Sequence, residues 1–310
     1  MSWLIFSLIY PFLLAIVNYI DKYLLQNHFK GGNIITLLIF SSLAGFPVIL
    51  LILLFGLKTN EMETAHKILI GIGGVIYLIS LIPYFHALEK NETSNVAPFF
   101  LLIPVMNTLF GYIFLKESIS IIEIFASLLI FAGSIGLSLS LEKTKITKLH
   151  FNKNLFILML IHSILFASNN LIFKLVAVKT NFWETVFWEH VGFLIYGSII
   201  LIFVTKYRLY FFKVLRQNSL TIISANVVNE ALAVLAILSL HFAILGTSIG
   251  LVSFVSEGFQ PLFVLLTGIV ITIFMPKLGE EDIGFRNLSK KAVLISIMVV
   301  GLYMLTLNQI

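Results

Sequence analysis

Residues 86–137 read HALEKNETSNVAPFFLLIPVMNTLFGYIFLKESISIIEIFASLLIFAGSIGL. Two apolar runs fill this stretch, and only the short polar group Lys116-Glu117-Ser118 separates them. A helix crosses the hydrocarbon core of a bilayer with about 20 apolar residues. Each run has about that length, so the stretch predicts two consecutive transmembrane helices.

The whole chain has the composition of a membrane protein. Of its 310 residues, 59% are hydrophobic and only 11% are charged, whereas soluble proteins average about 25% charged residues. Ten membrane spans would use about 200 residues, which excludes a separate catalytic, nucleotide-binding or DNA-binding domain. The chain has no cysteine, so disulfides, thiolate nucleophiles and cysteine-ligated metal sites are excluded as well.

The same alternation of apolar runs and short polar breaks continues along the chain. It predicts an all-α integral membrane protein with ten transmembrane helices and no strands. The first run follows no basic segment and precedes no small-residue cleavage site, so we expect a first span rather than a signal peptide. The predicted helices cover residues 3–24, 33–56, 68–88, 94–115, 119–141, 154–177, 182–205, 219–244, 248–275 and 292–308.

Two sequence matches indicate an internal repeat. The first match aligns helices 1 and 6 at a constant offset, Ala15, Asn18 and Lys22 with Ala167, Asn170 and Lys174. The second aligns the entries to helices 4 and 9, Ala87-Leu88 and Thr93-Ser94 with Ala243-Ile244 and Thr247-Ser248. Because five is an odd number of crossings, the second copy would be inverted in the membrane. We therefore predict two inverted five-helix repeats, residues 1–141 and 154–310, joined by a linker at 142–153.

The basic residues predict how the chain is oriented. Most of the 20 lysines and arginines lie in the breaks after helices 1, 3, 5, 7 and 9. By the positive-inside rule these breaks face the cytoplasm, which places both termini outside. Residues 206–216 mix basic and aromatic side chains. This mixture is typical either of an anchor on anionic lipid or of a basic helix end with an aromatic belt.

The stretch at 86–137 also resembles the signature of the drug/metabolite transporter superfamily, EamA-type family. The resemblance rests on Ala87-Leu88, Thr93-Ser94, Pro104, Glu117 and Gly133, and on Ser168-Asn169 with Lys174 in the second copy. It covers nearly the whole chain and implies a ten-helix carrier of small solutes, in which helices 1, 3, 4, 6, 8 and 9 surround a central cavity. The second copy departs from the pattern at residues 276–291, a longer charged connection, so the role of the family's structural glutamate is not carried over to Glu280 or Glu281.

Polar side chains at mid-span depth are the candidates for a solute pathway. A carboxylate there costs about 2.5–3.5 kcal/mol on insertion scales, so it is rarely kept without an aqueous cavity or a partner. Glu230 and Glu257 are predicted at this depth, whereas Glu189 and His190 are interpreted as an interface pair. The alternative for each cluster is a hydrogen-bonded latch between helices. The predicted substrate-binding residues are Asn18, Tyr77, Ser80, Tyr84, His162, Asn169, Asn170, Asn226, Asn229, Glu230, Glu257 and Gln260.

Together these features predict a secondary active transporter that moves a small organic metabolite, such as an amino acid or an amine, by alternating access. Glu230 or Glu257 would bind a cationic group or carry a proton. We expect the solute, protons and the lipid bilayer as partners, and no cofactor, metal or nucleic acid. We also expect a monomer or homodimer, and we expect it to be located in a bacterial inner membrane.

Two other classes of protein remain open. One is an intramembrane enzyme acting on a lipid-type substrate, with His162, His190 or His241 as acid–base groups. The other is a membrane scaffold that transports nothing. The sequence has no HExxH zinc motif and no ATP-binding P-loop, so it offers no positive signal for metalloprotease chemistry or primary pumping.

Overall fold

The computed structural model describes residues 2–27, 34–91, 96–141, 152–217, 220–274 and 285–307. Every regular element in these ranges is helical. The α-helices are α1 (Ser2–Asn27), α2 (Ile34–Leu43), α3 (Gly45–Leu54), α4 (Thr64–Lys90), α5 (Leu102–Phe110), α6 (Ile121–Leu141), α7 (Lys153–Ala177), α8 (Phe182–Phe203), α9 (Thr205–Gln217), α10 (Leu220–Gly246), α11 (Ile249–Phe274) and α12 (Phe285–Leu307). A 3-10 helix at Ala97–Leu101 precedes α5, and a π-helical turn at Gly111–Leu115 follows it.

Seven segments are long and apolar enough to cross a membrane. They are Ser2–Leu25, Ile34–Leu54, Thr64–Lys90, Lys153–Ala177, Phe182–Phe203, Ile223–Gly246 and Ile249–Ile271. Three shorter apolar helical segments lie at Phe99–Leu115, Ile121–Gly136 and Lys291–Leu305. The prediction of an all-helical, multi-pass membrane protein is confirmed.

The surface of the bundle is apolar and its interior is polar in places. Phe55 and Phe203, for example, are 77% and 76% exposed, whereas Asp21, Asn169 and others are buried. A protein in water would not leave such large apolar side chains outside as a rule. In a bilayer the outward side chains face lipid, and polar groups are kept among the helices.

The second predicted span is one apolar segment but two helices. α2 ends at Leu43 and α3 begins at Gly45, with a turn at Ala44 between them. Pro47 explains the break, because a proline has no N–H to donate to the carbonyl four residues before it and its ring crowds that carbonyl. The carbonyl concerned here is that of Leu43.

The fourth predicted span is likewise irregular rather than one continuous α-helix. Pro104 lies in the first turn of α5, where its missing N–H interrupts the ladder with the preceding 3-10 helix. The π-helical turn then ends at Lys116, whose backbone is left-handed with φ of 56°. This turn brings the Glu117 side chain toward the second half of the chain.

The breaks between helices differ from the predictions in two places. Residues 205–217 form a separate helix, α9, whose Phe211 ring lies 5.1 Å from the Phe40 ring of α2. The last helix, α12, begins at Phe285, earlier than predicted. Most of the predicted linker 142–153, and Glu280 and Glu281, lie outside the described residues.

The packing of the long helices sets up the interior. α1 packs along α10 and α11, α4 packs along α7 and α8, and α6 packs along α12. Close approach is achieved with small residues, as in many membrane proteins. A Cβ atom on Gly192 of α8, for example, would collide with the backbone of Gly71 in α4.

Candidate functional site

A small cavity with both polar and apolar side chains on its wall lies among α1, α2, α4, α7 and α10, with Phe100 of the 3-10 helix also lining it. Its volume is about 50 Å³. One water needs roughly 10–15 Å³ of such space, so there is room for a few water molecules or a small polar group.

The cavity wall brings together half of the predicted site residues from four helices. These are Asn18, Tyr77, Tyr84, His162, Asn229 and Glu230. Tyr84 donates a hydrogen bond from its hydroxyl to Asn18 Oδ1 at 2.9 Å. His162 Nδ1 lies 2.8 Å from the carbonyl oxygen of Ser80, and since a carbonyl only accepts, this ring nitrogen carries the proton.

Three polar wall residues were not predicted, namely Tyr10, Asp21 and Ser41. Asp21 is buried and accepts a hydrogen bond from Asn229 Nδ2 at 2.7 Å. The Tyr84 hydroxyl lies 3.5 Å from the other carboxylate oxygen of Asp21, Oδ2. A sequence signal for Asp21 existed, because it follows Asn18 by three residues and so shares its helix face.

A second carboxylate faces the same cavity from a neighbouring helix. Glu230 of α10 accepts a hydrogen bond from Ser41 Oγ of α2 at 2.8 Å. Asp21 and Glu230 both line the cavity, and so does Tyr77 of α4. The wall therefore carries two acidic groups held by neutral hydrogen-bond donors.

The other predicted residues lie off the wall. Ser80 is buried behind it, where its hydroxyl donates to the Tyr77 carbonyl oxygen at 2.6 Å. Glu257 is buried on α11 beside Tyr10, whose side chain does line the cavity. The remaining four, also buried and off the wall, are Asn169, Asn170, Asn226 and Gln260.

Asn169 belongs to a second buried polar cluster, between α4, α7, α8 and α10. Its Nδ2 donates to Glu189 Oε1 at 2.9 Å and to the carbonyl oxygen of Gly73 at 3.1 Å. His241 Nδ1 lies 3.5 Å from the second Glu189 oxygen. Glu189 is therefore held by Asn169 of α7, with His241 of α10 nearby, rather than paired with His190, which bonds to the Val186 carbonyl of its own helix.

Two lysines link the ends of neighbouring helices through hydrogen bonds and an ion pair. Lys22, near the end of α1, donates to the carbonyl oxygen of Asn91 at 2.8 Å. Lys174, near the end of α7, donates to the carbonyl oxygen of Thr247 and forms an ion pair with Glu117, both at 2.5 Å. Glu117 also accepts from the backbone N–H of Ile249 at 3.0 Å, at the start of α11.

The helical spans and the polar cavity among them define a multi-pass membrane protein. Within the described ranges, no group of three or more histidine, aspartate or glutamate residues is arranged to hold a metal ion.

A family model matches the first part of the chain. Residues 1–139, less than half of the chain, match the EamA-like transporter family, which confirms the resemblance seen in that part of the sequence. No curated protein matches the chain. Among solved structures 26 chains match.

One of these solved structures is described only as the crystal structure of a protein. It shares 15% sequence identity with this chain at a TM-score of 0.65, and the alignment covers 99% of this chain and 97% of that one. At this identity the likeness concerns the fold alone.

Proposed function

We propose that the protein is a secondary active transporter that carries a small organic solute across the membrane by alternating access, with the solute held in the cavity described above. The observation that carries the proposal is the pair of carboxylates, Asp21 and Glu230, facing a cavity among membrane-spanning helices. Ionisable groups at such positions are costly and typically mark a solute or ion pathway.

The helix packing supports the inverted repeat that this mechanism needs. If residues 1–141 and 154–310 are equivalent, α1 corresponds to α7, α4 to α10, α5 to α11 and α6 to α12. The contact of α1 with α10 then has its counterpart in α7 with α4, and that of α1 with α11 in α7 with α5. The contact of α6 with α12 maps onto itself. A pseudo-two-fold axis would generate this pattern.

The two lysine contacts support the same relation. Lys22 and Lys174 are equivalent in the sequence repeat, and each binds the carbonyl oxygen at the end of the equivalent helix, α4 or α10. In an inverted repeat these two contacts lie at opposite ends of the helix bundle, where a carrier needs its two gates.

Two helix contacts that the repeat makes equivalent differ in their extent. α8 packs closely along α4, whereas its counterpart α2 meets α10 over few residues, including the hydrogen bond between Ser41 and Glu230. Such inequality between repeats is expected if the protein can exchange their conformations. In the exchanged state α2 would close on α10 and α8 would part from α4.

The proposal includes the finer expectations from the sequence. Protons would be carried by the buried carboxylates, and the protein would act as a monomer or homodimer in a bacterial inner membrane, with both termini outside. Each of these is open to direct measurement in reconstituted membranes.

The enzyme alternative has one sequence feature in its favour. Residues 246–250 read GTSIG and match the GxSxG pattern of serine hydrolases. In those enzymes the serine lies at a turn between a strand and a helix. Here Ser248 lies between α10 and α11 and its Oγ accepts the backbone N–H of Leu251 at 3.3 Å, as a helix cap does. We therefore favour transport.

Cysteine accessibility tests alternating access without knowledge of the solute. The chain has no cysteine, so Ala233→Cys places a single thiol on the cavity wall. A membrane-impermeant maleimide should label it from either side of reconstituted vesicles. Ala236→Cys, fully buried on the same helix and off the wall, is the matched control and should stay unlabelled. Labelling of Ala233→Cys from one side only, under all conditions, would contradict the proposal.

A further inference from the structure

We propose that the solute held in this cavity is a protonated primary amine with a short apolar substituent, and that amino acids and neutral solutes are excluded. The inference rests on the proposed transport function and names its substrate class.

The charged side chains on the cavity wall are acidic. Asp21 and Glu230 are the carboxylates of the wall, and none of the described residues that line it is lysine or arginine. A buried carboxylate is costly unless an opposite charge or hydrogen bonds compensate it. A cationic solute supplies that charge. The carboxylate of an amino acid would meet two like charges and no cation, which costs binding energy.

The second observation is the kind of hydrogen-bonding groups that remain. Asp21 and Glu230 each have one oxygen bound by a neutral donor at normal distance, from Asn229 or Ser41. The second Asp21 oxygen has only the long contact of 3.5 Å to Tyr84. Because His162 uses its Nδ1–H for the Ser80 carbonyl, its other ring nitrogen is an acceptor in the neutral ring. An ammonium group, with three donors and no acceptor, fits this set.

The third observation is the aromatic surface around these groups. The rings that line the cavity are those of Tyr10, Tyr77, Tyr84, Phe85, Phe100 and Phe166. Some are in contact with each other, with centroids 5.8 Å apart for Tyr84 and Phe100. Aromatic faces attract a desolvated cation and pack against alkyl groups. The cavity volume of about 50 Å³ limits the substituent to a short one without movement of the wall.

Three solutes that share one branched carbon skeleton test whether the cavity selects a cation, a neutral molecule or an amino acid. Isobutylamine is a cation, isobutanol is neutral, and valine adds a carboxylate to the amine. Binding of each to the purified protein would be measured by isothermal titration calorimetry. We expect isobutylamine to bind at least tenfold more tightly than isobutanol or valine, since one desolvated charge pair decides the difference.

Carboxylate variants locate the site. Asp21→Asn and Glu230→Gln keep the shape of each side chain and should each weaken isobutylamine binding about tenfold or more. Glu61→Gln removes a carboxylate that lies 60% exposed beside Lys58 and should leave binding unchanged. Thermal unfolding without solute shows whether each variant is folded, and either cavity variant alone suffices for the test.

The outcomes separate this inference from the transport function. Valine binding as tightly as isobutylamine, or unchanged isobutylamine binding in either cavity variant that folds, would overturn the amine assignment and leave the transporter standing. Absence of isobutylamine binding would overturn it too. The transport function itself is decided by the accessibility of Ala233→Cys, which needs no solute.

Discussion

The closely packed pair α4 and α8 allows a sharp prediction from single methyl groups. A Cβ atom added at Gly192 of α8 would collide with the Gly71 carbonyl oxygen and stand 2.9 Å from its carbonyl carbon, where ordinary contacts are 3.4–4 Å. The atoms it meets are backbone, so neither helix can yield without moving as a whole. A Cβ at Gly71 itself would meet only the Trp188 carbonyl oxygen, at an ordinary 3.8 Å.

Gly192→Ala and Gly71→Ala therefore form a matched pair within one interface. Both gain about 1 kcal/mol in helix propensity over glycine, so this effect cancels between them. Overpacking costs about 1–3 kcal/mol, and we expect Gly192→Ala to be less stable than Gly71→Ala by that amount. Unfolding of the purified variants in mixed micelles with rising dodecyl sulfate measures the difference. Equal stability of the two variants would refute the close approach of α4 and α8.

Three further predictions concern polar contacts. Glu117→Gln should lower the free energy of unfolding by about 1.5–3 kcal/mol, because it removes a charged partner of Lys174 and weakens the hydrogen bond to the Ile249 N–H. Unfolding in dodecyl sulfate measures this loss, and Glu123→Gln is the control, since Glu123 caps only its own helix. An equal loss in the two variants would contradict the prediction. Asn152→Ala should cost about 1 kcal/mol in the same assay, since Asn152 caps α7 through the Leu155 N–H, and amine binding measured by calorimetry should not change. Ser41→Ala should lower the free energy of unfolding by about 1 kcal/mol, because it removes the hydrogen bond that joins α2 to Glu230. For the same reason it should speed maleimide labelling of Ala233→Cys. Unchanged labelling would argue against a moving contact between α2 and α10.

Much of the fold could be predicted from hydrophobic runs, because a bilayer demands long apolar helices and the chain offers little else. The predicted and observed limits of the first, third and sixth spans agree within a few residues. The break at Pro47 and the irregular segment around Pro104 follow from the missing N–H of proline, a local signal that the run lengths alone conceal. The separate helix α9 packs on α2 through the contact between Phe211 and Phe40, which is not local and gives no signal in the run lengths.

The candidate site was less accessible from sequence. Asp21 lies close to the predicted end of the first span at residue 24, so predicted depth in the membrane does not single it out; α1 in fact continues to Asn27. Ser41 is a single hydroxyl in an apolar run and has no periodic signal. Asn169 and Asn170 both looked suitable, but helix rotation decides which partner each meets. That rotation is set by tertiary packing, which helical spacing does not determine.

Distances between helices in the reconstituted protein test alternating access most directly. Spin labels would be placed at exposed positions, Ile72 on α4 with Ile199 on α8, and Leu43 on α2 with Val228 on α10. Double electron–electron resonance should show two distances for each pair, with the α4–α8 distance lengthening under the conditions in which the α2–α10 distance shortens. One fixed distance for both pairs, with and without isobutylamine and across pH, would contradict alternating access.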